Sequence, residues 1–317
     1  MLRRSFVYGP VPSRRLGLSL GVSIVPPKTC TIDCIYCQCG RTTRRTLDRE
    51  SFYPVEEVIS QVRAAVAAHR VEFITFSGEG EPTLNRDIGR IIRRLKDEFS
   101  IPVAVLTNGT LLTDPAVRRA LYPADLVVPS LDAADERNFA RVNRHHPGLN
   151  VANVIRGLVT FRRHYRGKLW LEVMLVKNIN DSPEHLVMLR RAAEDIGPDR
   201  VHLNTVARPP AVRRARPLSD DDLAQVQKLF GSRCEIADSP LRRRQRRFHG
   251  DPAAAIIELA RRRPVTPADI TRSLGVDSAE LPKLLARLTR AHRLRRVEFW
   301  GKVFYEARRS PADTARG

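Results

Sequence analysis

Acidic residues are in short supply in this chain, cysteines are few, and no long apolar run occurs. Against 55 Lys and Arg stand 35 Asp and Glu, a formal charge of +20, which favours polyanions such as a nucleic acid, a nucleotide or an acidic partner or, equally, reflects a basic, Arg-rich proteome in which charge says little about partners. Because no apolar stretch approaches the ~20 residues that cross a bilayer, a membrane-spanning helix is not expected. The five cysteines are an odd number in 317 residues, which speaks against a disulfide scaffold, and they form no second knuckle of the kind that structural zinc sites pair from separate segments. The opening Met1-Leu2-Arg3-Arg4-Ser5-Phe6 is followed by no apolar region, so the expected location is cytoplasmic, where thiols persist reduced.

What cysteine there is lies concentrated. Cys30, Cys34 and Cys37 stand in the run Cys30-Thr31-Ile32-Asp33-Cys34-Ile35-Tyr36-Cys37. A cubane iron-sulfur cluster takes one thiolate per iron, so three neighbouring thiolates leave one iron open to another ligand. Cys39, two residues on, is a candidate fourth thiolate that would instead close a zinc site or an electron-transfer cluster. Cys234 is remote and reads as an inert thiol.

Downstream, helical and strand patterns alternate. Helices are expected over Pro54 to His69, Asn85 to Phe99, near Asp114, Asn150 to Tyr165 and His185 to Ile196. Strands are expected over Leu20 to Val25, Val71 to Phe76, Val103 to Leu106, Leu126 to Val128, Leu169 to Val176 and Val201 to Val206. The fold class is therefore α/β with a parallel sheet of about six βα units, too few for an eight-stranded barrel. In such folds the chemistry sits where strands end. The strand-end candidates are Gly80 and Glu81 in Ser77-Gly78-Glu79-Gly80-Glu81-Pro82-Thr83-Leu84, Asn108 in Thr107-Asn108-Gly109, Ser130 and Asp132 in Ser130-Leu131-Asp132, and Lys177. Glu81 is suited to accept from an ammonium group and the short polar residues to hold hydroxyls. Lys177 is a Schiff-base candidate only where burial depresses its pKa, a solvated lysine being the plainer reading.

Residues 207–250 read as a basic connector with prolines 209, 210 and 217, one helix from Asp220 to Phe230, and the arginine-rich run 242–247. From 251 to 307 a second domain is expected, with 308–317 as a tail. It holds a helix from Pro252 to Arg262, a helix capped by Thr266-Pro267 and stopped at Gly275, and a third started by a capping box of Asp277 and Glu280. Two β-prone segments turning at Trp300-Gly301 complete it. Three helices and a hairpin resemble a winged helix, with Arg272, Lys283, Arg287 and Arg290 placed for phosphate contact; docking or dimerisation is the equal alternative.

The C-x3-C-x2-C spacing with Tyr36 before the third cysteine resembles the signature of the radical S-adenosylmethionine (SAM) enzymes. That resemblance implies a partial (β/α)6 TIM-like barrel over residues 1–206, a 4Fe-4S cluster on Cys30, Cys34 and Cys37, and SAM chelating the open iron for cleavage to a 5′-deoxyadenosyl radical that abstracts hydrogen. Gly80 and Glu81 match the family's Gly-Gly-Glu-Pro element, with Glu79 in place of its first glycine; the element grips the methionyl amine. The resemblance also implies cofactor contacts at Tyr36, Asn108, Ser130 and Asp132, with ribose at the latter two. The stretch Tyr8 to Gly17, the residues Gln38 and Gly40 to Thr42, Ser130 to Ala133 and Asn204 to Pro210 look like the branch related to tRNA wyosine-base synthase, which adds a second cluster upstream; no cysteine precedes Cys30 here. An external flavodoxin or ferredoxin is the implied electron donor, and RNA, a nucleotide or another polyanion the candidate partner. Two rivals stay open: a redox-sensing iron-sulfur regulator with a DNA-binding winged helix, and a radical modifier of a peptide or small metabolite.

Overall fold

A computed structural model of the chain describes residues 5–13, 15–237 and 251–308. The arginine-rich run 242–247 lies outside the described residues. Strands β1 (Val7–Ser13), β2 (Gly17–Val22), β5 (Phe73–Phe76), β6 (Val103–Thr107), β7 (Leu126–Pro129), β8 (Lys168–Leu175), β9 (Arg200–Thr205) and β10 (Cys234–Ile236) form one eight-stranded sheet in that order. Two-residue strands β3 (Thr29–Cys30) and β4 (Arg44–Arg45) pair beside the cysteine loop. From β2 to β10 every neighbour is parallel, and only β1 runs against β2.

Helices α1 (Val55–Ala68), α2 (Ile88–Glu98), α3 (Pro115–Leu121), the short α4 (Glu136–Asn138), α5 (Val151–His164), α6 (Pro183–Ile196) and α7 (Asp220–Phe230) fill the crossovers. Each long helix turns one apolar stripe inward: Val55, Val58, Ile59 and Val62 of α1 are buried, as are Ile88, Ile91, Ile92 and Leu95 of α2. They pack with the central strands β5, β6 and β7, which are apolar and buried almost throughout, as expected of parallel sheets, while β8 alternates buried with more exposed residues.

Two elements escape the sequence patterns. β1 carries Gly9, Pro10 and Pro12, which read as turn residues, yet it edges the sheet, where proline is tolerated. β10 lies in the stretch expected as a connector: Cys234, Glu235 and Ile236 pair in parallel with Val201, His202 and Leu203. Leu223 and Val226 of α7 join the same hydrophobic core.

Beyond residue 251, α8 (Pro252–Arg262), α9 (Pro267–Leu274), α10 (Leu281–Arg290) and the hairpin β11 (Leu294–Phe299) with β12 (Lys302–Ala307) enclose a separate apolar cluster that includes Ile256, Ile270, Leu285 and Leu294. Thr266 and Asp269 cap α9 reciprocally. The expected box at α10 does not form. Glu280 is already helical there and offers no side-chain cap, while Asp277 accepts instead from the Ala279 amide, so the chain enters α10 through a tight turn.

The small unit seats on β1 and the cysteine loop. Arg208 binds the Pro264 carbonyl at 2.6 Å and the Asp269 carboxylate at 2.8 Å, and the Arg262 guanidinium lies 4.2 Å from the centre of the Tyr8 ring. Tyr8 in turn lies over Gly21, its cross-strand partner, and reaches Ser77 Oγ at 2.6 Å. A Cβ on Gly21 would fall 2.1 to 2.4 Å from the Tyr8 ring. Gly21→Ala is therefore expected to lower stability by about 1–3 kcal/mol through overpacking, read as a fall in Tm; an unchanged Tm would contradict the packing described.

Candidate functional site

The cysteine loop leaves β2 and folds over the sheet at the ends of β5, β6 and β7. Its backbone is pinned from several sides: Asp33 N and Ile35 N bond the carbonyls of Asn143 and Val142, and Glu81 N bonds the Thr29 carbonyl. Lys28, 5% exposed, takes a left-handed backbone and donates from Nζ to the Gly40 carbonyl at 2.6 Å, closing the loop on itself.

Two asparagines aim N–H groups at cysteine sulfurs. Asn108 Nδ2 donates to Cys30 Sγ at 3.4 Å and Thr31 Oγ1 at 2.7 Å, while its Oδ1 accepts from Thr110. Asn143 Nδ2 donates to Cys34 Sγ at 3.3 Å and Asp132 Oδ2 at 2.7 Å. Burial, with Glu81 nearby, pushes the Cys30 thiol up to about 12, and burial beside Asp132 pushes Cys34 well above its usual range. Cys37 goes the other way, to about 6, because Cys39 hydrogen-bonds it and Lys28 lies close, which together outweigh burial. Buried thiols with N–H donors on their sulfurs are starved of positive charge, and coordination to iron supplies it.

Among the described residues no three His, Cys, Asp or Glu side chains converge on a single ion. A cubane asks for thiols that neighbour one another, each on its own iron. Cys30, Cys34 and Cys37 do neighbour one another closely enough to raise each other's charge cost. Cys39 donates to the Arg262 carbonyl of the small unit at 3.5 Å and leans on Cys37. The residues present thus fit a cluster held by three cysteines.

The strand-end carboxylates face inward. Glu81 is 3% exposed; Oε1 accepts from Thr83 N, Thr83 Oγ1 and Thr107 Oγ1 at 3.0, 2.6 and 2.6 Å, and Oε2 from Asn108 N at 2.7 Å. Its pKa is raised by burial, which those four bonds partly offset. It ties the end of β5 to the end of β6 and sets the asparagine that donates to Cys30. Gly80 is required by close approach to the chain itself, since a Cβ there would meet the Thr29 carbonyl at 2.4 Å.

Asp132, expected at a ribose, has protein partners of its own. Oδ2 accepts from Tyr36 O–H at 2.5 Å and from Asn143, and Oδ1 accepts from Met174 N at 3.0 Å. Burial raises it to about 6 against those three bonds. The carboxylate fastens the cysteine loop, through Tyr36, to β8. Ser130 lies beside it in a narrow cleft with Ile32, Asn108, Phe139 and Asn143.

Lys177 is not suited to Schiff-base chemistry. Nζ binds Asp222 Oδ2 at 2.9 Å and Asp181 Oδ2 at 3.8 Å, and the hydrogen bond to Asp222 raises its pKa, the reverse of what a nucleophilic amine needs. Cys234, buried on β10 and pushed up to about 12 by burial, is an unreactive thiol.

Asn143 went unnoticed in the sequence. It ends a π-helical turn, Phe139–Asn143, after which Arg144 turns left-handed; such turns concentrate at functional sites but carry no local sequence signal. Removing its donor with Asn143→Ala is expected to lower the reduction potential of the reconstituted cluster, because hydrogen bonds to sulfur stabilise the reduced state. A redox titration followed by electron paramagnetic resonance reads this; an unchanged midpoint would mean that the bond to Cys34 does not persist.

Residues 24–189, more than half of the chain, match the family model described as the Radical SAM superfamily. Over 311 residues the chain is 29% identical to a UPF0026 protein of Methanocaldococcus jannaschii, covering 95% of each. It is 36% identical over 308 residues to a protein of Brachyspira hyodysenteriae named GTPase Obg, covering 96% of this chain and 45% of that one. The chain thus spans less than half the length of that relative. Among solved structures, a radical SAM methyltransferase from Sphaerobacter thermophilus superposes with a TM-score of 0.51 at 20% identity, over 69% of this chain and 65% of that one, a likeness of fold. Members of the matched family carry a 4Fe-4S cluster and SAM and need an electron donor, and no helix among the described residues is long and apolar enough to cross a membrane. The chain belongs to the radical SAM superfamily: it is an enzyme whose cofactors are a 4Fe-4S cluster and SAM.

Proposed function

We propose that Cys30, Cys34 and Cys37 hold the cluster with one iron open to SAM, and that the enzyme abstracts hydrogen from a nucleic acid or nucleotide. When bound, the cluster supplies one electron to the sulfonium, releasing methionine and a 5′-deoxyadenosyl radical. The observation that carries the reading is the pair of asparagine donors on Cys30 and Cys34.

In this reading each neighbouring side chain has a mechanical task. Asn108 and Asn143 offset charge on the thiolates, Tyr36 and Asp132 fix the loop, and Glu81 sets Asn108. Ser130, in the cleft beside Asn108, is the hydroxyl-binding candidate. The architecture we propose is a partial barrel of six parallel βα units, extended by β1 and β10, with a winged-helix-like unit from 251 to 307. Within the superfamily we place the chain in the branch related to wyosine-base synthase, reduced by a flavodoxin or ferredoxin. The net charge of +20 supports a polyanionic substrate.

Comparative mass spectrometry of RNA nucleosides and metabolites from cells with and without the protein tests the substrate. A nucleoside or nucleotide lost in the deletion and restored by the wild-type gene, but not by Cys34→Ser, is expected. Changes confined to peptides or to non-nucleotide metabolites would overturn the substrate class.

A further inference from the structure

Many surface arginines of this protein meet a carboxylate: Arg44 with Glu50, Arg63 with Glu98, Arg94 with Glu56 and Arg162 with Asp199. The groove between α2 and α3 departs from that pattern. Arg86, Arg90, Arg93 and Arg119 line it, and Asp87 is the one acidic side chain in its wall. All four arginines are exposed. Arg86 donates to the Arg49 carbonyl at 2.9 Å; Arg90, Arg93 and Arg119 meet no carboxylate among the described residues.

The groove is open, of about 270 Å³, and its floor is made of small residues, Gly89, Ala116 and Ala120. A Cβ on Gly89 would stand 2.9 Å from the Ala120 Cα, so the two helices approach to backbone contact and leave the guanidinium groups as walls. Arg90 and Arg93 stand one turn apart on α2, Arg119 lines the groove from α3, and Arg86 lies in the turn before α2. A nucleic-acid strand carries a charge at every nucleotide, so it can meet several guanidinium groups of one groove at once. Like charges gathered in one groove repel until an anion enters, and guanidinium forks suit phosphate oxygens. The upper end of the groove adjoins the site: Arg49, which accepts from Arg86, also holds the Thr83 and Asn85 carbonyls behind Glu81.

We propose that the α2–α3 groove binds the phosphate backbone of a nucleic-acid strand. This deepens the substrate class given above and rests on it for the link to chemistry, but the groove's affinity can be measured alone. Three guanidinium groups that meet no carboxylate in one groove favour a strand charged at every nucleotide over an acidic protein, whose carboxylates are irregularly spaced.

The test is fluorescence anisotropy of a labelled oligouridylate against the purified protein across a series of KCl concentrations. Replacing Arg90, Arg93 and Arg119 together by Gln is expected to reduce the slope of log Kd against log salt by about 2, near 0.7 per lost contact, and to weaken low-salt binding by about tenfold or more. A control replacing Arg163, Arg191 and Arg233 by Gln removes the same charge from exposed positions elsewhere and should keep the wild-type slope. Thermal melts of both triples check folding, and the single variant Arg90→Glu, expected to lose binding in the same direction, serves if the triple unfolds. Equal losses in both triples would mean a diffuse field and overturn the groove. So would indifference of the wild type to oligouridylate at low salt, or binding of polyglutamate in its place. SAM cleavage by wild type, followed in parallel, separates the two proposals: cleavage with a groove that ignores RNA sinks only the groove, and groove-dependent binding without cleavage sinks only the enzymatic reading.

Discussion

Serine in place of Cys30, Cys34 or Cys37 is expected to strip the anaerobically reconstituted protein of its cluster and to take SAM cleavage to background. A serine hydroxyl stays protonated where a thiol ionises on binding iron, and its hard oxygen is a poor match for an iron-sulfur site. The buried neighbours sharpen the effect, because Asn108 and Asn143 then point at an alcohol in a space shaped for a charged sulfur. Cys39→Ser is the informative contrast. Its sulfur donates to the Arg262 carbonyl, so its loss should spare the iron content, loosen the small unit and shift Cys37. Equal loss of iron from all four variants would mean a closed, four-thiolate site.

The second large effect falls on the joint between the two units. Arg208 and Asp269 pair at 2.8 Å with side chains 13% and 11% exposed. Asp269 keeps Arg272 at 2.9 Å and the Thr266 amide at 3.1 Å, so Arg208→Ala is expected to cost about 1.5–3 kcal/mol, the worth of a hydrogen bond to a charged group, and also frees the Pro264 carbonyl. What remains at the joint includes Arg262 over Tyr8, the Cys39 bond to the Arg262 carbonyl and the contact of Val11 with the small cluster. The variant is expected to unfold in two separate calorimetric transitions, with earlier proteolysis near 263–266; a single wild-type transition would contradict this. Burial pushes Asp269 up, but Arg208 and the Thr266 amide outweigh it and hold the carboxyl well below the usual carboxylate range. A depressed carboxyl contributes stability that is full above its unfolded pKa near 4 and disappears as pH falls toward the folded value. The deficit of Arg208→Ala should therefore be largest near neutrality and shrink as the solution is acidified below about pH 4.

How far the sequence carries this account follows from how local each signal is. The cysteine loop was legible because ligand spacing is a local fact, and the βα series because buried strands and amphipathic helices write their periods into consecutive residues. α9 announced itself through Thr266-Pro267 and Gly275. β1 did not, because its glycine and prolines speak for a turn and only its place at the sheet edge makes them tolerable. β10 has three residues, too few for a period, and is recruited by Val201 to Leu203.

The site shows the same division. Sequence placed Glu81 and Asp132 at strand ends but could not say which way they face. Their donors come from Thr107 and Asn108 on one side and from Tyr36, Asn143 and Met174 on the other, as far as 96 residues away for the Tyr36 bond. Lys177 met its answer in Asp222, 45 residues downstream. Long-range pairing of polar groups gives these positions a fastening part that no spacing rule reports.

The account's central claim is an iron left open to SAM by a three-cysteine loop. Its most direct measurement is chromatography of the products when anaerobic, iron-reconstituted protein is reduced in the presence of SAM. Methionine and 5′-deoxyadenosine in equal amounts, absent from Cys34→Ser, are predicted. Intact SAM over a cluster whose paramagnetic spectrum does not respond to it, or a protein that takes up zinc instead, would contradict it.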